Sequence, residues 1–450
     1  MKDALARGRS KGLEHERGLS VLVLLTTALL LACFKVRAVL IPVLAVAGTL
    51  FVALLVLHPL VSTGVLAFLA YGDVSSAFLP GAFSVVLMLG FVAWIARSLL
   101  SSDFTISATK VDLALGVYLA ALLVSMLFST SPEAGGRELL LVAKWLAFYV
   151  LLVNTVRDRK AVVTVSAALV LGAALSGVVA LWVFSRETMM SIFGAVFRAA
   201  GLAGNPNELA IVMVTVLPIS VYMIAVTKRR STRLLFAAAT MVLVAANFTT
   251  LARTGLLAML LVFAMIAVSE RRRTWTRVVL VVFLVAFPLV IPKGFWLRFA
   301  ASGVLGTDYS AAVRAGAMRA GASMIAENPV TGAGLGMYLA KSTQYGDIIF
   351  PLVAHNMFLH VTAECGLLGL SAMLFLIATS FSAMGAAEKL TSRSSQLFHL
   401  IRAHRMAYVA YLVCGLFTSI QFNQSFWYMP AASVFLLQAA RSEARESRPT

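Results

Sequence analysis

Long apolar stretches recur along almost the whole chain, and they constrain its fold more than any other feature. From Gly18 onward, runs of about 15 to 25 residues that are nearly free of charge alternate with short polar breaks. At 1.5 Å per residue, such a run coiled as a helix crosses a hydrocarbon core of about 30 Å. The runs lack the alternation of polar and apolar residues that barrel strands require. The sequence therefore predicts an all-α polytopic membrane protein with 12–14 transmembrane helices.

Composition agrees with this class. Hydrophobic residues make up 60% of the 450, charged residues make up 12%, and the mean hydropathy is +0.92. A soluble domain of this length would expose too much apolar surface to water. The first 18 residues carry charges of both signs and no small-residue cleavage site. They predict a cytoplasmic tail and not a cleaved signal peptide.

The polar breaks divide the chain into predicted spans and loops. We place the spans near residues 20–34, 37–54, 57–71, 79–97, 110–128, 138–154, 160–184, 207–227, 233–249, 253–269, 276–292, 355–383, 406–421 and 426–440. The predicted organisation is a cytoplasmic tail (1–19), N-terminal transmembrane helices (20–184), a first external loop (185–206), central transmembrane helices (207–292), a large external loop (293–354), C-terminal transmembrane helices (355–440) and a second cytoplasmic tail (441–450).

The basic residues predict the orientation of these spans. About two thirds of the 37 Lys and Arg residues fall in the two tails and in alternate connections. Cytoplasmic connections carry the excess of Lys and Arg, so both termini are predicted to be cytoplasmic. The net charge of +18 is spread over many short loops without an aromatic platform. Topology and attraction to anionic membrane lipids explain it better than a nucleic-acid partner.

No pattern in the sequence indicates a metal ion or a cofactor. Cys33, Cys365 and Cys414 lie in or beside predicted spans, without CxxC spacing. Such cysteines predict neither a zinc site nor a disulfide framework. Walker, dinucleotide-binding and HExxH motifs are absent from the sequence. We therefore expect no metal site and no cofactor.

The external loops carry arginines, although loops on that side are expected to be poor in Lys and Arg. Arg198 lies in the first loop, Arg314 and Arg319 in the second, and Arg253 at the outer end of a span. Residues 309–325 have apolar side chains at helical spacing and predict an amphipathic helix on the membrane face. The planar guanidinium of arginine suits an anionic ligand such as a diphosphate. Pairing with lipid headgroups or with nearby acidic residues is the alternative for each arginine.

Histidines begin the next predicted span. His355 lies at its boundary, where an imidazole can act as a base, an acid or a hydrogen-bonding anchor. A structural histidine bonded to a backbone carbonyl is the alternative. His360 and Glu364 follow at a separation of four residues. They can pair on one helix face, and we predict a structural role for that pair.

At these residues the sequence resembles the O-antigen ligase family. His355-Asn356, nine further residues, Gly366, two residues and Gly369 are similar to the His-Asn-x9-Gly-xx-Gly pattern of that family. The resemblance covers residues 185 to 385 and extends to the superfamily that includes Wzy-type polymerases and bacterial protein O-oligosaccharyltransferases.

Two further segments carry the same resemblance. Arg198-Ala-Ala-Gly-Leu202 is similar to the Arg-x3-Leu element of the ligases, and Gly204-Asn-Pro-Asn207-Glu-Leu resembles a Gly-x-Pro-Asn stretch of the superfamily. Arg314, with Glu-Asn-Pro at 327–329 and the glycine-rich 332–336, resembles the segment ahead of the histidine.

The resemblance implies a metal-independent membrane glycosyltransferase with a GT-C-like fold in the bacterial inner membrane, its active site facing the periplasm. The donor would be a glycan on undecaprenyl diphosphate, and the acceptor a sugar hydroxyl of lipid A–core. Arg198 and Arg314 would stabilise the diphosphate, and His355 would position or deprotonate the acceptor. Weaker site candidates are Arg253, Arg319, Asn356 and Asn207. Because 157 residues separate Arg198 from His355, Arg253 is an alternative for the role given to Arg198.

The sequence does not distinguish between the possible acceptors of the glycan. The same constellation would serve a Wzy-type polymerase of O-antigen, capsule or exopolysaccharide repeats, whose acceptor is a growing lipid-linked glycan. The sequence favours a protein O-oligosaccharyltransferase less. A transporter of lipid-linked sugars is a further alternative, but transporters tend to show internal repeats, and none is evident here.

Overall fold

The computed structural model describes Leu55 and residues 58–74, 80–100, 108–187, 197–269, 309–345 and 350–446. The first two predicted spans and the span near 276–292 lie outside these residues. All the helices described below belong to the compact unit Pro59–Thr450.

The described part of the chain is helical, and it contains no strand. Its helices are α1 (Pro59–Gly72), α2 (Ala82–Leu100), α3 (Lys110–Met126), α4 (Pro132–Thr155), α5 (Arg159–Glu187), α6 (Pro206–Val226), α7 (Arg230–Thr249), α8 (Arg253–Ser269), α9 (Tyr309–Glu327), α10 (Met337–Tyr345), α11 (Met357–Leu390), α12 (Gln396–Gly415) and α13 (Gln424–Glu446). The prediction of an all-α polytopic membrane protein is confirmed.

Six of these helices are long and apolar enough to cross a membrane: α2, α4, α5, α6, α7 and α11. The apolar helices α1 and α8 are shorter. Large apolar side chains on the outside of α2 are solvent-accessible, among them Met88 and Val92 at 59% and Leu99 at 72% exposure. Apolar surface of this kind is stable against lipid tails and costly against water.

Local sequence explains where several helices begin. Ser131, Asn205 and Asn356 each accept a hydrogen bond at the start of α4, α6 and α11, and proline follows the first two caps. These residues satisfy amides that the first helical turn leaves without an intrahelical partner. The helix predicted at 309–325 is present as α9, and it ends immediately before Asn328-Pro329. The prediction that it is amphipathic is wrong, because its apolar residues are spread around the helix and do not form one face.

The predicted boundary of the penultimate span is wrong. It was expected at 406–421, but α12 begins ten residues earlier, at Gln396, and ends at Gly415. The first half of α12 contains Arg402 and Arg405. From the sequence alone, their charges argue against placing this segment within the membrane. Both guanidinium groups contact the carboxylate of Glu388 at the end of α11, which offsets part of their charge within the bundle.

Consecutive helices run antiparallel, so their connections gather on two faces of the bundle. On the first, which we call the site face, Ser125 at the end of α3 hydrogen-bonds to the carbonyl of Glu364 near the start of α11. On the opposite face, Gln396 at the start of α12 donates to the carbonyl of Val226 at the end of α6. Helix α6 is the central helix, since it packs against α5, α7, α8 and α12 and is buried along most of its length.

Candidate active site

His355 lies on the site face, two residues before α11 begins. Its φ of 53° falls in the left-handed region that non-glycine residues rarely adopt. The next residue, Asn356, caps α11 by accepting a hydrogen bond of 3.0 Å from the amide of Leu359. The cap fixes the direction of the helix and forces the chain to turn sharply at His355. Backbone strain of this kind is concentrated at functional sites.

Arg314 on α9 lies close enough to His355 for its charge to act on the imidazole. Burial and the positive charge of Arg314 together hold the pKa of the His355 imidazole below its usual value of 6.5. Both effects disfavour the imidazolium form. The imidazole is therefore neutral at neutral pH, and one ring nitrogen carries a lone pair that can accept a proton.

Arg198 is anchored at the start of α6 and at the turn between α7 and α8. Its Nε donates to the carbonyl of Thr250 at 2.8 Å, and its Nη2 donates to Oδ1 of Asn207 at 2.8 Å. The amide of the next residue, Ala199, donates to the carbonyl of Thr249 at 3.0 Å. These bonds tie the first external loop to the turn that precedes Arg253, the first residue of α8. The structure thus places Arg198, Asn207 and Arg253 in one region, and the two arginines need not be alternatives.

The loop that carries Arg198 is also fixed to α5. Gly201 has a φ of 56°, and a Cβ there would lie 2.8 Å from the carbonyl oxygen of Ser176. The amide of Leu202 donates to the hydroxyl of the same serine at 3.2 Å. Only glycine fits this close approach with a positive φ. The loop is therefore held against the bundle immediately beside Arg198.

Asp73 is a site-face residue that the sequence reasoning did not single out. It follows α1, has a φ of 51°, and lies near Glu208 on the first turn of α6. Burial and the Glu208 carboxylate raise the pKa of Asp73 to about 7. The available signal in the sequence was an acidic residue directly after an apolar run. Asp73, Leu251 and His355 are the three non-glycine residues with positive φ in the described part of the chain, and all three lie on this face.

The glycines of the His-Asn-x9-Gly-xx-Gly pattern have a structural explanation. Helix α11 is broken at Gly366, whose φ is 64° and ψ is −167°. The segment after α9 fills the break: the amides of residues 333 and 334 donate to the carbonyls of 363 and 364, and the amides of 367 and 368 donate to the carbonyls of 329 and 330. A Cβ on Gly366 would lie 2.1 Å from the carbonyl oxygen of Val330. The first nine residues of α11 therefore form a separate half-helix that carries His355 at its start.

His360 and Glu364 pair within this half-helix, as predicted. Their Nε2 and Oε1 atoms are 3.3 Å apart, and both side chains are buried. The same carboxylate oxygen accepts the amide of Tyr338 at 2.9 Å, and the Tyr338 hydroxyl donates to the carbonyl of Ala317 at 2.5 Å. This network joins α9, α10 and α11. It fixes the position of the helix that carries Arg314 relative to the half-helix that begins after His355.

The candidates thus form two groups on the site face. His355, Asn356 and Arg314 make the first group, with Arg319 on the exposed side of α9. Arg198, Asn207 and Arg253 make the second. Helix α12 packs against α6 and α8, which carry residues of the second group, and also against α11. Among the described residues, no three or more His, Cys, Asp or Glu side chains are grouped so that they could hold a metal ion.

Comparison with known families identifies one match. Residues 238–374, less than a third of the chain, match the family model described as O-antigen ligase. The match runs from within α7 to the half-helix after His355 and beyond Gly369, and it includes Arg253, Arg314, Arg319, His355 and Asn356. The predicted resemblance is confirmed. It implies a membrane enzyme of glycosyl transfer, of ligase or polymerase type.

A comparison with curated proteins finds no match. Arg198 and Asn207 lie outside the matched residues, but Arg198 is hydrogen-bonded to Thr250 within them.

Proposed function

We propose that this chain, whose residues 238–374 match the O-antigen ligase family model, transfers a glycan from undecaprenyl diphosphate to a sugar hydroxyl of lipid A–core. The observation that carries the proposal is the placement of Arg314 beside His355. A half-buried imidazole that burial and a nearby guanidinium keep neutral can accept a proton, and the guanidinium suits a diphosphate.

In this mechanism His355 accepts the proton of the acceptor hydroxyl. The hydroxyl oxygen then attacks the anomeric carbon of the donor glycan and forms the new glycosidic bond. The bond between that carbon and the diphosphate oxygen breaks, and the electron pair leaves with undecaprenyl diphosphate. No nucleotide is needed, because the donor is already activated by its diphosphate.

The arginines act on the leaving group. Negative charge grows on the diphosphate as the glycosidic bond to it breaks, and fixed cations aimed at that charge lower the barrier. Arg314 is one such cation. Arg198 and Arg253 supply the others in the proposal, since the hydrogen bonds of Arg198 to Thr250 and Asn207 orient its guanidinium before substrate arrives.

The location follows from the arrangement of charge. The opposite face carries the basic clusters at 157–160, 228–233 and 389–393. By the positive-inside rule that face is cytoplasmic and the site face is periplasmic. We therefore assign the protein to the bacterial inner membrane, with both termini in the cytoplasm and both substrates approaching in the outer leaflet.

Reconstitution tests the reaction. Purified protein is mixed with a glycan on undecaprenyl diphosphate and with lipid A–core, and the products are separated by mass. Glycosylated core with release of undecaprenyl diphosphate is the expected result. A lengthened lipid-linked glycan would identify a polymerase instead, and glycan on a serine or threonine peptide an oligosaccharyltransferase. Movement of the intact donor across the bilayer without bond formation would reject the enzyme.

Substitutions in the same assay test the site. We expect His355→Ala to lower the rate on the order of 10²- to 10⁴-fold, since a positioned base is removed. Arg314→Ala is expected to lower it about 10²- to 10³-fold, since a stabilising charge is removed. Arg137→Ala is the matched control, because Arg137 pairs with Glu133 on an exposed turn of α4. Near-normal transfer by either site variant, in folded protein, would contradict the assignment.

A further inference from the structure

Two adjoining cavities lie on the opposite face, at the far end of α11 from His355. The first, of about 500 Å³, lies between the last turns of α8, the second half of α11 and α12. The second, of about 780 Å³, continues it toward the connection between α11 and α12. They share four residues: Ser269, Glu388, Arg402 and Arg405. Together they form one continuous space, which we call the basic cavity.

The walls of the basic cavity differ between its two ends. Toward the middle of the bundle they are apolar, formed by Ala264, Met265, Val268, Phe381, Met406 and Val409. Toward the connection they are cationic, formed by Lys389, Arg393, Arg402 and Arg405, with Glu388 as the only carboxylate among the lining residues of either cavity. Four cationic side chains against one carboxylate leave a strongly positive mouth above an apolar interior.

Ion pairs among the described residues of the basic cavity do not account for all of this charge. Glu388 contacts Nε of Arg402 at 3.8 Å and also Nη1 of Arg405. A single carboxylate neutralises one of these two arginines in net charge. Lys389 and Arg393 are exposed and add two further cations. Among the described lining residues the positive charge is therefore in excess, and an anionic ligand would offset it.

The division into an apolar interior and a cationic mouth selects an amphiphile. A free phosphate or nucleotide would use the cations and leave the apolar walls unused. A neutral lipid would use the walls and leave the cations without a partner. Basic pockets between transmembrane helices on the cytoplasmic side are suited to anionic lipid headgroups. We propose that the basic cavity binds an anionic phospholipid, with its phosphate at Arg393, Arg402 and Arg405 and an acyl chain along Met265, Phe381 and Val409.

Retention of lipid by purified protein tests this proposal. The protein is delipidated in detergent, incubated with phosphatidylglycerol or with phosphatidylcholine of the same acyl chains, and analysed by native mass spectrometry. We expect the anionic lipid to bind more tightly. Lys389→Gln with Arg393→Gln should weaken its binding about 30-fold, since each cation near a membrane surface contributes about fivefold in affinity. Arg229→Gln with Arg230→Gln removes two exposed cations of the same face outside the cavity, and it should leave binding unchanged.

A second pair of variants tests the apolar end. Val409→Trp fills the apolar end and should weaken lipid binding without any change of charge. Met241→Trp places the same residue on an exposed position of α7, where side-chain exposure is 73%, and should have no effect. Equal binding of the two lipids would overturn the proposal, as would equal losses in both charge variants. Displacement of the anionic lipid by inorganic phosphate, combined with no effect of Val409→Trp, would show a simple anion site instead.

Discussion

His355 is held in a backbone conformation that few histidines adopt, and its neighbours explain why that strain persists. The cap formed by Asn356 fixes the helix on one side. The network of Tyr338, His360 and Glu364 then fixes that helix against α9. The conformation is therefore determined by the surrounding contacts and not by His355 itself. Its consequence is a half-buried imidazole facing the positive charge of Arg314.

The protonation of His355 should depend on Arg314. The guanidinium lowers the pKa of the imidazole, so Arg314→Gln should raise it toward the ordinary value of 6.5. Diethyl pyrocarbonate modifies only the neutral imidazole, and its rate at His355 can be followed by peptide mass spectrometry across pH. The midpoint of the rate should move to higher pH in Arg314→Gln and stay in place in Arg319→Gln. A midpoint unchanged in Arg314→Gln would contradict the pairing, whatever the transfer activity.

At the scale of elements, the break in α11 is the feature on which the site depends. A continuous α-helix would satisfy its own carbonyls at 363 and 364, and the segment 329–334 would then have no partner there. The break at Gly366 exchanges helical hydrogen bonds for bonds to that segment. The glycine-rich loop, α9 and Arg314 are all positioned through this exchange. The nine residues between Asn and Gly in the His-Asn-x9-Gly pattern are the nine residues of this half-helix.

Substituting alanine at two glycines of α11 should change the free energy of unfolding by very different amounts. Gly366→Ala adds a Cβ at positive φ and against the carbonyl of Val330, so we expect a loss of at least about 2 kcal/mol in the free energy of unfolding. Gly385→Ala meets no atom within 4 Å, and the change should be within about 1 kcal/mol. Thermal unfolding of both variants in detergent measures the difference. Equal melting temperatures would show that the break does not need glycine.

The Glu364 carboxylate should act as a structural acceptor. Glu364→Ala leaves the amide of Tyr338 and a nitrogen of His360 without their acceptor, at a cost of about 1–3 kcal/mol for each buried group. Glu364→Gln keeps an acceptor oxygen, so it should retain most of the stability and of the transfer activity. A variant Glu364→Gln that unfolds normally but has lost transfer would instead indicate a catalytic carboxylate.

At the scale of the whole molecule, the antiparallel order of the helices collects every candidate residue on one face. The connections that carry Arg198, Arg253, Arg314 and His355 are far apart in sequence. They lie on the same face because α6, α8 and α11 all begin there. The opposite face collects the basic clusters and the basic cavity. The two faces thus differ in charge and in the ligands proposed for them.

This arrangement predicts a labelling pattern in cells. Val330, 63% exposed on the site face, and Arg230, exposed on the opposite face, are each replaced by cysteine after removal of the native cysteines. A membrane-impermeant maleimide that enters the periplasm should label Val330→Cys in intact cells. It should label Arg230→Cys only after the inner membrane is permeabilised. The reverse pattern would invert the proposed orientation and place the site in the cytoplasm.

The sequence by itself determined the membrane class, most helix boundaries and the resemblance to the O-antigen ligase family that residues 238–374 confirm. Hydrophobic length and capping residues are local signals, and predictions such as 253–269 agree with α8 to the residue. It also indicated the arginines and His355 as candidate site residues, because they stand in short motifs that resemble those of the family. It failed at α12, where Arg402 and Arg405 both contact the carboxylate of Glu388 on another helix.

Only the tertiary structure decided which residues meet. The bond from Arg198 to Thr250 spans 52 positions of the chain, and the electrostatic effect of Arg314 on His355 joins residues on either side of the glycine-rich loop. The position of Asp73 beside Glu208 likewise depends on the packing of separate helices. Apolar periodicity fixes which segments are helices, but it does not fix their neighbours, since many arrangements bury the same apolar surface. The choice among them is made by specific polar contacts and close glycine approaches, which link residues far apart along the chain.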